Sequence, residues 1–213
     1  NQENCEARLC LYGYPGTGKT AFAKHLANEL DVPLHIKRYS DLLSKWVGET
    51  ERNIAAAFVQ AEHEQAILLI DEVDGLLADR RHAEHSWETT QVNEMLTQME
   101  QFSGVFIATT NLMDNMDMAA LRRFDLKIGF DYMREEQVVM LFEQTCALLF
   151  NAAPTVEANQ RVRQLRQLTP GDFAALQRRH RFSPFENDLA LANALVDEVR
   201  LKGGSSVTMG FLV

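Results

Sequence analysis

No stretch of this chain is apolar for long enough to cross a bilayer. The longest strongly apolar runs, such as Ala66–Ile70, fall far short of the roughly 20 residues a spanning helix needs. The opening residues do not read as a secretory leader. Cysteine is scarce: Cys5, Cys10 and Cys146 show neither the pairing of a disulfide framework nor the clustering of a metal site. Free thiols in a reducing, cytoplasmic compartment are expected. No H-E-x-x-H occurs, which excludes zinc proteases of that motif. His82 and His85 lack a third ligand at a useful spacing and read as loop residues. Positive charge is in deficit, with 21 Lys and Arg against 30 Asp and Glu for a net −9, which argues against a nucleic-acid coat. The deficit is uneven. Between 151 and 181, six arginines face only Glu157 and Asp172, a local +4 that leaves −13 elsewhere. Solvated helix faces explain this; so does a basic lobe that docks on an acidic lobe of a second copy.

What is present is an alternation of short strands and helices. Arg8–Tyr12, Pro33–Lys37, Ala66–Ile70, Val105–Thr109 and Asp125–Phe130 read as strands. Helices are expected over Lys19–Leu30, Glu49–Glu64 and Thr89–Gln101, with a polar loop over Ala78–Glu88. This pattern implies an α/β fold: a three-layer domain with a largely parallel sheet over 1–131. From 132 the pattern becomes helical only, over Arg134–Phe150, Val156–Leu168, Gly171–Arg179 and Glu186–Leu201, with Pro154, Pro170 and Pro184 at the boundaries. A small all-α lid domain is expected over 132–204, then a tail or edge strand over 205–213. With only twelve residues before Gly13, the chain reads as an excised domain.

Gly13-Tyr14-Pro15-Gly16-Thr17-Gly18-Lys19-Thr20 fits the phosphate-loop pattern G-x-x-x-x-G-K-[ST] in full. Glycines let backbone N–H groups turn inward around phosphate oxygens, and the helix that follows points its positive end at the same anion. Gly16, Thr17 and Gly18 form the cradle, Lys19 reaches the β and γ phosphates, and Thr20 is a Mg²⁺ ligand. Asp71 and Glu72 end an apolar strand, where side chains face the ligand crevice of a parallel sheet. Asp71 is expected to hold Mg²⁺, and Glu72 to orient and polarise an attacking water. Asn111, at the end of the next strand, can accept from that water and donate to phosphate; taken alone it is an ordinary turn former. Arg122 and Arg123 precede the last strand and suit transition-state charge on a phosphate held by another subunit; taken alone they are surface arginines beside Asp125.

In this order the elements resemble the AAA clade of the AAA+ P-loop ATPases, and the resemblance covers essentially the whole chain. Residues outside the ATP motifs also match. Ser44–Glu51 is similar to the first pore loop of katanin-like, sorting-complex disassembly and membrane-protease ATPase modules, and Val92–Met99 resembles the helix after their second ATP motif. The chain looks like a fragment of a stand-alone, bacterial-style AAA protein. The resemblance implies ATP and Mg²⁺ as cofactors, a homo-oligomer (usually a hexameric ring), and arginine fingers supplied by the neighbour. It implies a lid contact to the adenine at Gly171. This sequence departs from the family where Tyr14 replaces the usual Pro, where Arg122 and Arg123 lack an intervening Pro-Gly, and where Thr169-Pro170-Gly171-Asp172-Phe173 stands for a segment that often has Gly-Ala, of which only Gly171 carries over.

Trp46, flanked by Lys45 and Val47, is the residue through which such a ring would grip an extended protein or peptide. The other possibility is a half-buried Trp that anchors the helix after it. The expected function is therefore an ATP-hydrolysing protein-remodelling module, with no nucleic-acid partner and no membrane segment. The alternatives are a nucleic-acid motor or loader of the wider AAA+ group, and a low-turnover nucleotide-dependent assembly switch.

Overall fold

The computed structural model describes residues 6–46, 48–77, 86–111 and 117–203. Val47, the loop with His82 and His85, and the tail expected over 205–213 lie outside the described residues. The described chain forms two compact units. The first contains the residues up to Tyr14 together with Lys19–Phe130; the second contains Pro15–Gly18 and the residues from Asp131 onward.

The first unit is built on five parallel strands in the order β2-β3-β4-β1-β5. They are β1 (Ala7–Gly13), β2 (Leu34–Arg38), β3 (Ile67–Asp71), β4 (Val105–Thr110) and β5 (Leu126–Phe130). The helices are α1 (Lys19–Glu29), α2 (Tyr39–Leu42), α3 (Glu49–His63), α4 (Asp74–Leu77), α5 (Ser86–Gln101) and α6 (Met118–Leu121). The central strands are apolar on both faces because both faces are covered. On β3, Ile67 and Leu69 join Leu9, Leu11, Ala23 and Ala27 in one core. Leu68 and Ile70 join Ile54, Phe58, Met95 and Phe106 in the other. Each such side chain contributes about 1.5–3 kcal/mol by leaving water. Phe58 meets Phe102 edge-on at 5.5 Å and Phe106 at 5.2 Å, fixing α3 and the end of α5 on the sheet.

The register aligns the carboxyl ends of the inner strands. Tyr12 pairs with Thr110, Ile70 with Ala108, and Gly13 with Phe130. At Gly13 (φ 138°) an added Cβ would lie 1.9 Å from the Phe130 carbonyl oxygen, so only glycine lets β1 turn away beside β5.

The second unit holds α7 (Glu135–Phe150), α8 (Val156–Arg163), α9 (Pro170–His180) and α10 (Asp188–Lys202). Their buried faces share Val138, Phe142, Val162, Phe173, Leu191 and Leu195. Thr155 and Asn187 cap α8 and α10 by accepting from Ala158 N (3.3 Å) and Ala190 N (2.9 Å). The arginine-rich stretch falls here. Arg161 pairs with Glu157 at 3.6 Å and Arg166 with Glu135 at 3.5 Å, on partly exposed faces.

Several boundaries differ from the sequence reading. The helix expected over Val156–Leu168 stops at Arg163; beyond it Gln167 takes φ +65°, which no helix continues through, and Leu168 is buried in the core. Helix α5 begins at Ser86, inside the expected polar loop. The four-residue helices α2, α4 and α6 were too short to leave a periodic signal.

Candidate functional site

Lys19 opens α1 directly after the glycine loop and is only 8% exposed. Its ammonium donates to Gly13 O at 2.7 Å, Tyr14 O at 3.0 Å and Asn111 Oδ1 at 2.9 Å. Burial lowers its pKa, while the carboxylates of Asp71 and Asp74 work against that shift. A buried cation held by neutral oxygens is prepared for an anion. The loop itself has left-handed glycines, with φ 76° at Gly16 and 101° at Gly18. Such geometry turns successive backbone N–H groups to one side. Thr17 in this loop is buried.

Asp71 ends β3 with both oxygens engaged. Oδ2 accepts from Thr20 Oγ1 at 3.2 Å, and Oδ1 accepts from the hydroxyl of Thr109 in a short hydrogen bond. Thr20 and Asp71 together offer the hard oxygen donors that Mg²⁺ takes. Glu72 follows with φ 60° and an exposed side chain. Its amide donates to Thr109 Oγ1 at 3.2 Å, and the Val73 amide donates to Thr109 O at 3.0 Å. Asp74 Oδ1 accepts from Thr110 Oγ1 at 2.5 Å and from Asn111 N at 2.9 Å, holding the end of β4 beside α4.

The cluster thus unites Lys19, Thr20, Asp71 and Asn111 at the carboxyl ends of adjacent parallel strands, where α/β sheets bind ligands. It pairs a fixed cation with oxygen donors and an exposed carboxylate at Glu72, an arrangement able to bind and polarise a phosphate chain. Residues 9–132 match the ATPase family associated with various cellular activities (AAA). The chain belongs to this family of ATPases.

Among curated relatives, this AAA chain is 33% identical over 175 residues to spastin of Drosophila melanogaster, covering 76% of the chain and 22% of the relative. Spastin of Drosophila willistoni matches to the same extent. With spastin of Drosophila persimilis the identity is 36% over 151 residues, 67% of the chain and 18% of the relative. The AAA chain therefore spans about a fifth of the length of these relatives. Family membership carries nucleotide binding with it. Among the described residues, no helix of this AAA module is long and apolar enough to cross a membrane.

Arg122 caps the end of α6 and is exposed; no described residue pairs with it. Arg123 is tied to Glu100 at 2.7 Å. Gly171, near the start of α9, lies in the second unit, where its amide donates to Gly16 O at 2.9 Å. Trp46 is 77% exposed, which removes the alternative of a half-buried anchor. Its backbone is held: Trp46 N donates to Ser44 Oγ at 3.2 Å, and Glu49 N donates to Trp46 O at 3.2 Å. Lys45 beside it is exposed.

Sequence reasoning missed Asp74 and the hydroxyls of Thr109 and Thr110. An acid three residues after Asp71 was a usable signal. The threonines were visible only as part of a strand end.

Proposed function

We propose that this chain binds ATP with Mg²⁺, hydrolyses it, and in a ring of copies uses the cycle to remodel protein substrates. The observation that carries the reading is the Lys19 ammonium, buried and hydrogen-bonded to Asn111 within the same cluster as the Thr20–Asp71 pair. Lys19 exchanges its carbonyl partners for phosphate oxygens, and the glycine loop supplies backbone donors. Thr20 and Asp71 would hold Mg²⁺, which when bound would neutralise charge on the phosphates. Glu72 takes up the proton of the attacking water, while Asn111 orients that water from the next strand. As the water oxygen bonds to the γ-phosphorus, the bridging oxygen leaves with ADP.

Arg122 is the better placed of the two arginines to reach a neighbour's phosphate, because Glu100 retains Arg123. Exposed Trp46, on a turn braced by Ser44 and Glu49, is the contact to an extended polypeptide. An aromatic face grips many side chains with little sequence preference, as a translocating device requires. The curated relatives named spastin are several times longer than the matched segment.

The test is a pair of variants assayed for nucleotide binding, ATP turnover and protein remodelling. Glu72→Gln is expected to keep ATP affinity and lose about 10²–10⁴-fold in turnover. Trp46→Ala is expected to keep turnover and lose remodelling. Equal turnover in wild type and Glu72→Gln would remove Glu72 as the catalytic base, and negligible turnover in the wild type would leave a nucleotide-controlled switch. Wild-type remodelling by Trp46→Ala would remove the threading reading.

A further inference from the structure

Thr109 stands out because one buried hydroxyl bridges the two acids at the end of β3. It is 1% exposed on β4. Its Oγ1 donates to Asp71 Oδ1 and accepts from the Glu72 amide at 3.2 Å. A hydroxyl is the side-chain group that combines one donor with acceptor lone pairs on a single small atom. The next amide, Val73 N, donates to the main-chain oxygen of the same residue at 3.0 Å. Thus Thr109 holds both amides around Glu72 and one oxygen of Asp71.

Glu72 needs this hold. Its φ of 60° is a left-handed conformation that side-chain-bearing residues adopt uncommonly and keep when their surroundings over-determine it. No hydrogen bond or ion pair from the described residues fixes its exposed carboxylate. The backbone sets where the Glu72 side chain leaves the chain, and Thr109 holds that backbone at both amides. Asp71 has a second tie, from Thr20 at 3.2 Å. Metal binding would draw on that threonine hydroxyl, leaving the Thr109 tie to orient the Asp71 carboxylate.

We infer that Thr109 is a positioning residue for ATP hydrolysis, acting through Asp71 and Glu72 rather than on the nucleotide. This rests on the ATPase reading above. Groups that orient metal-holding and reacting side chains commonly matter by 10–100-fold.

Thr109→Val removes the hydroxyl and keeps the shape; Thr109→Ser restores the hydroxyl without the methyl. Amide hydrogen exchange in the 213-residue chain without nucleotide is read first. In Thr109→Val, protection of the Glu72 amide is expected to fall at least about tenfold. The Val73 amide, bonded to a main-chain carbonyl, is expected to stay protected. In ATP turnover, the same variant is expected to need about 10–100-fold more Mg²⁺ for half-maximal rate. Thr109→Ser is expected to retain the wild-type values of both. If Thr109→Val does not fold, Thr109→Ala against Thr109→Ser makes the same comparison with the methyl absent from both.

Unchanged Glu72 exchange on loss of the hydroxyl overturns the inference. So does a Thr109→Ser variant as impaired as Thr109→Val, because then the methyl packing matters and the hydroxyl does not. An unchanged Mg²⁺ requirement in Thr109→Val overturns the positioning role. If the wild type shows no ATP turnover, the ATPase reading fails by that result, and the exchange comparison still decides the bridge.

Discussion

Lys19 concentrates the chemistry of the chain in one side chain: a cation in a buried place, satisfied by three oxygens. Burying an ammonium is costly, and the carboxylates of Asp71 and Asp74 offset part of the cost. The thiols show the opposite use of burial. Cys10 is fully buried in β1, and desolvation pushes its pKa from 9.0 to about 11, with Lys127 opposing weakly. Between those values the folded chain binds a proton that the unfolded chain has lost, so stability falls as pH rises from about 9 to 11. A tenfold difference in proton affinity between the folded and unfolded chain corresponds to roughly 1.4 kcal/mol. Denaturant midpoints measured across this range are expected to drop more for wild type than for Cys10→Ala. At pH 8 the native thiol is expected to resist an aromatic disulfide reagent.

At the scale of elements, the strand ends decide what the site can be. Gly13→Ala places a Cβ 1.9 Å from Phe130 O, and the contact cannot relax without opening the β1–β5 register. A loss of at least about 2 kcal/mol is expected, a drop of roughly 5 °C or more in thermal midpoint. Gly18→Ala meets nothing within 4 Å and carries only the backbone strain of φ 101°, so the smaller loss is expected there. Much of this architecture was legible in the chain. Apolar runs such as Ile67–Ile70 announce a strand covered on both faces, and a glycine loop with Lys19 announces the turn into α1. Asp71, Glu72 and Asn111 were legible because each ends such a run. The ties among them were not, since Thr109 to Asp71 and Asn111 to Asp74 join residues 38 and 37 positions apart. Helix ends were also obscure where a local left-handed residue, such as Gln167, overrides continued apolar spacing. The exposure of Trp46 was legible only through the resemblance of the stretch around it to a pore loop; taken alone, that aromatic reads as an anchor of the following helix.

At the scale of the whole molecule, the cluster of Lys19, Thr20, Asp71 and Asn111 coexists with an arginine that has no described partner. Arg123 is held by Glu100 on the same chain, whereas Arg122 faces outward at the end of α6. In the proposed ring, Arg122 would meet the phosphates of a nucleotide bound to the neighbouring copy. If copies assemble as proposed, the basic stretch at 151–181 and the acidic remainder of the chain would attract one another across copies. The most direct measurement mixes two inactive variants, Glu72→Gln and Arg122→Ala, and follows ATP turnover against the mixing ratio. Interfaces that join the intact Glu72 of one copy to the intact Arg122 of the other are complete. Turnover well above both parents, with a maximum at intermediate ratios, is expected. Turnover that follows the weighted average of the parents at every ratio would contradict a site completed by a neighbour.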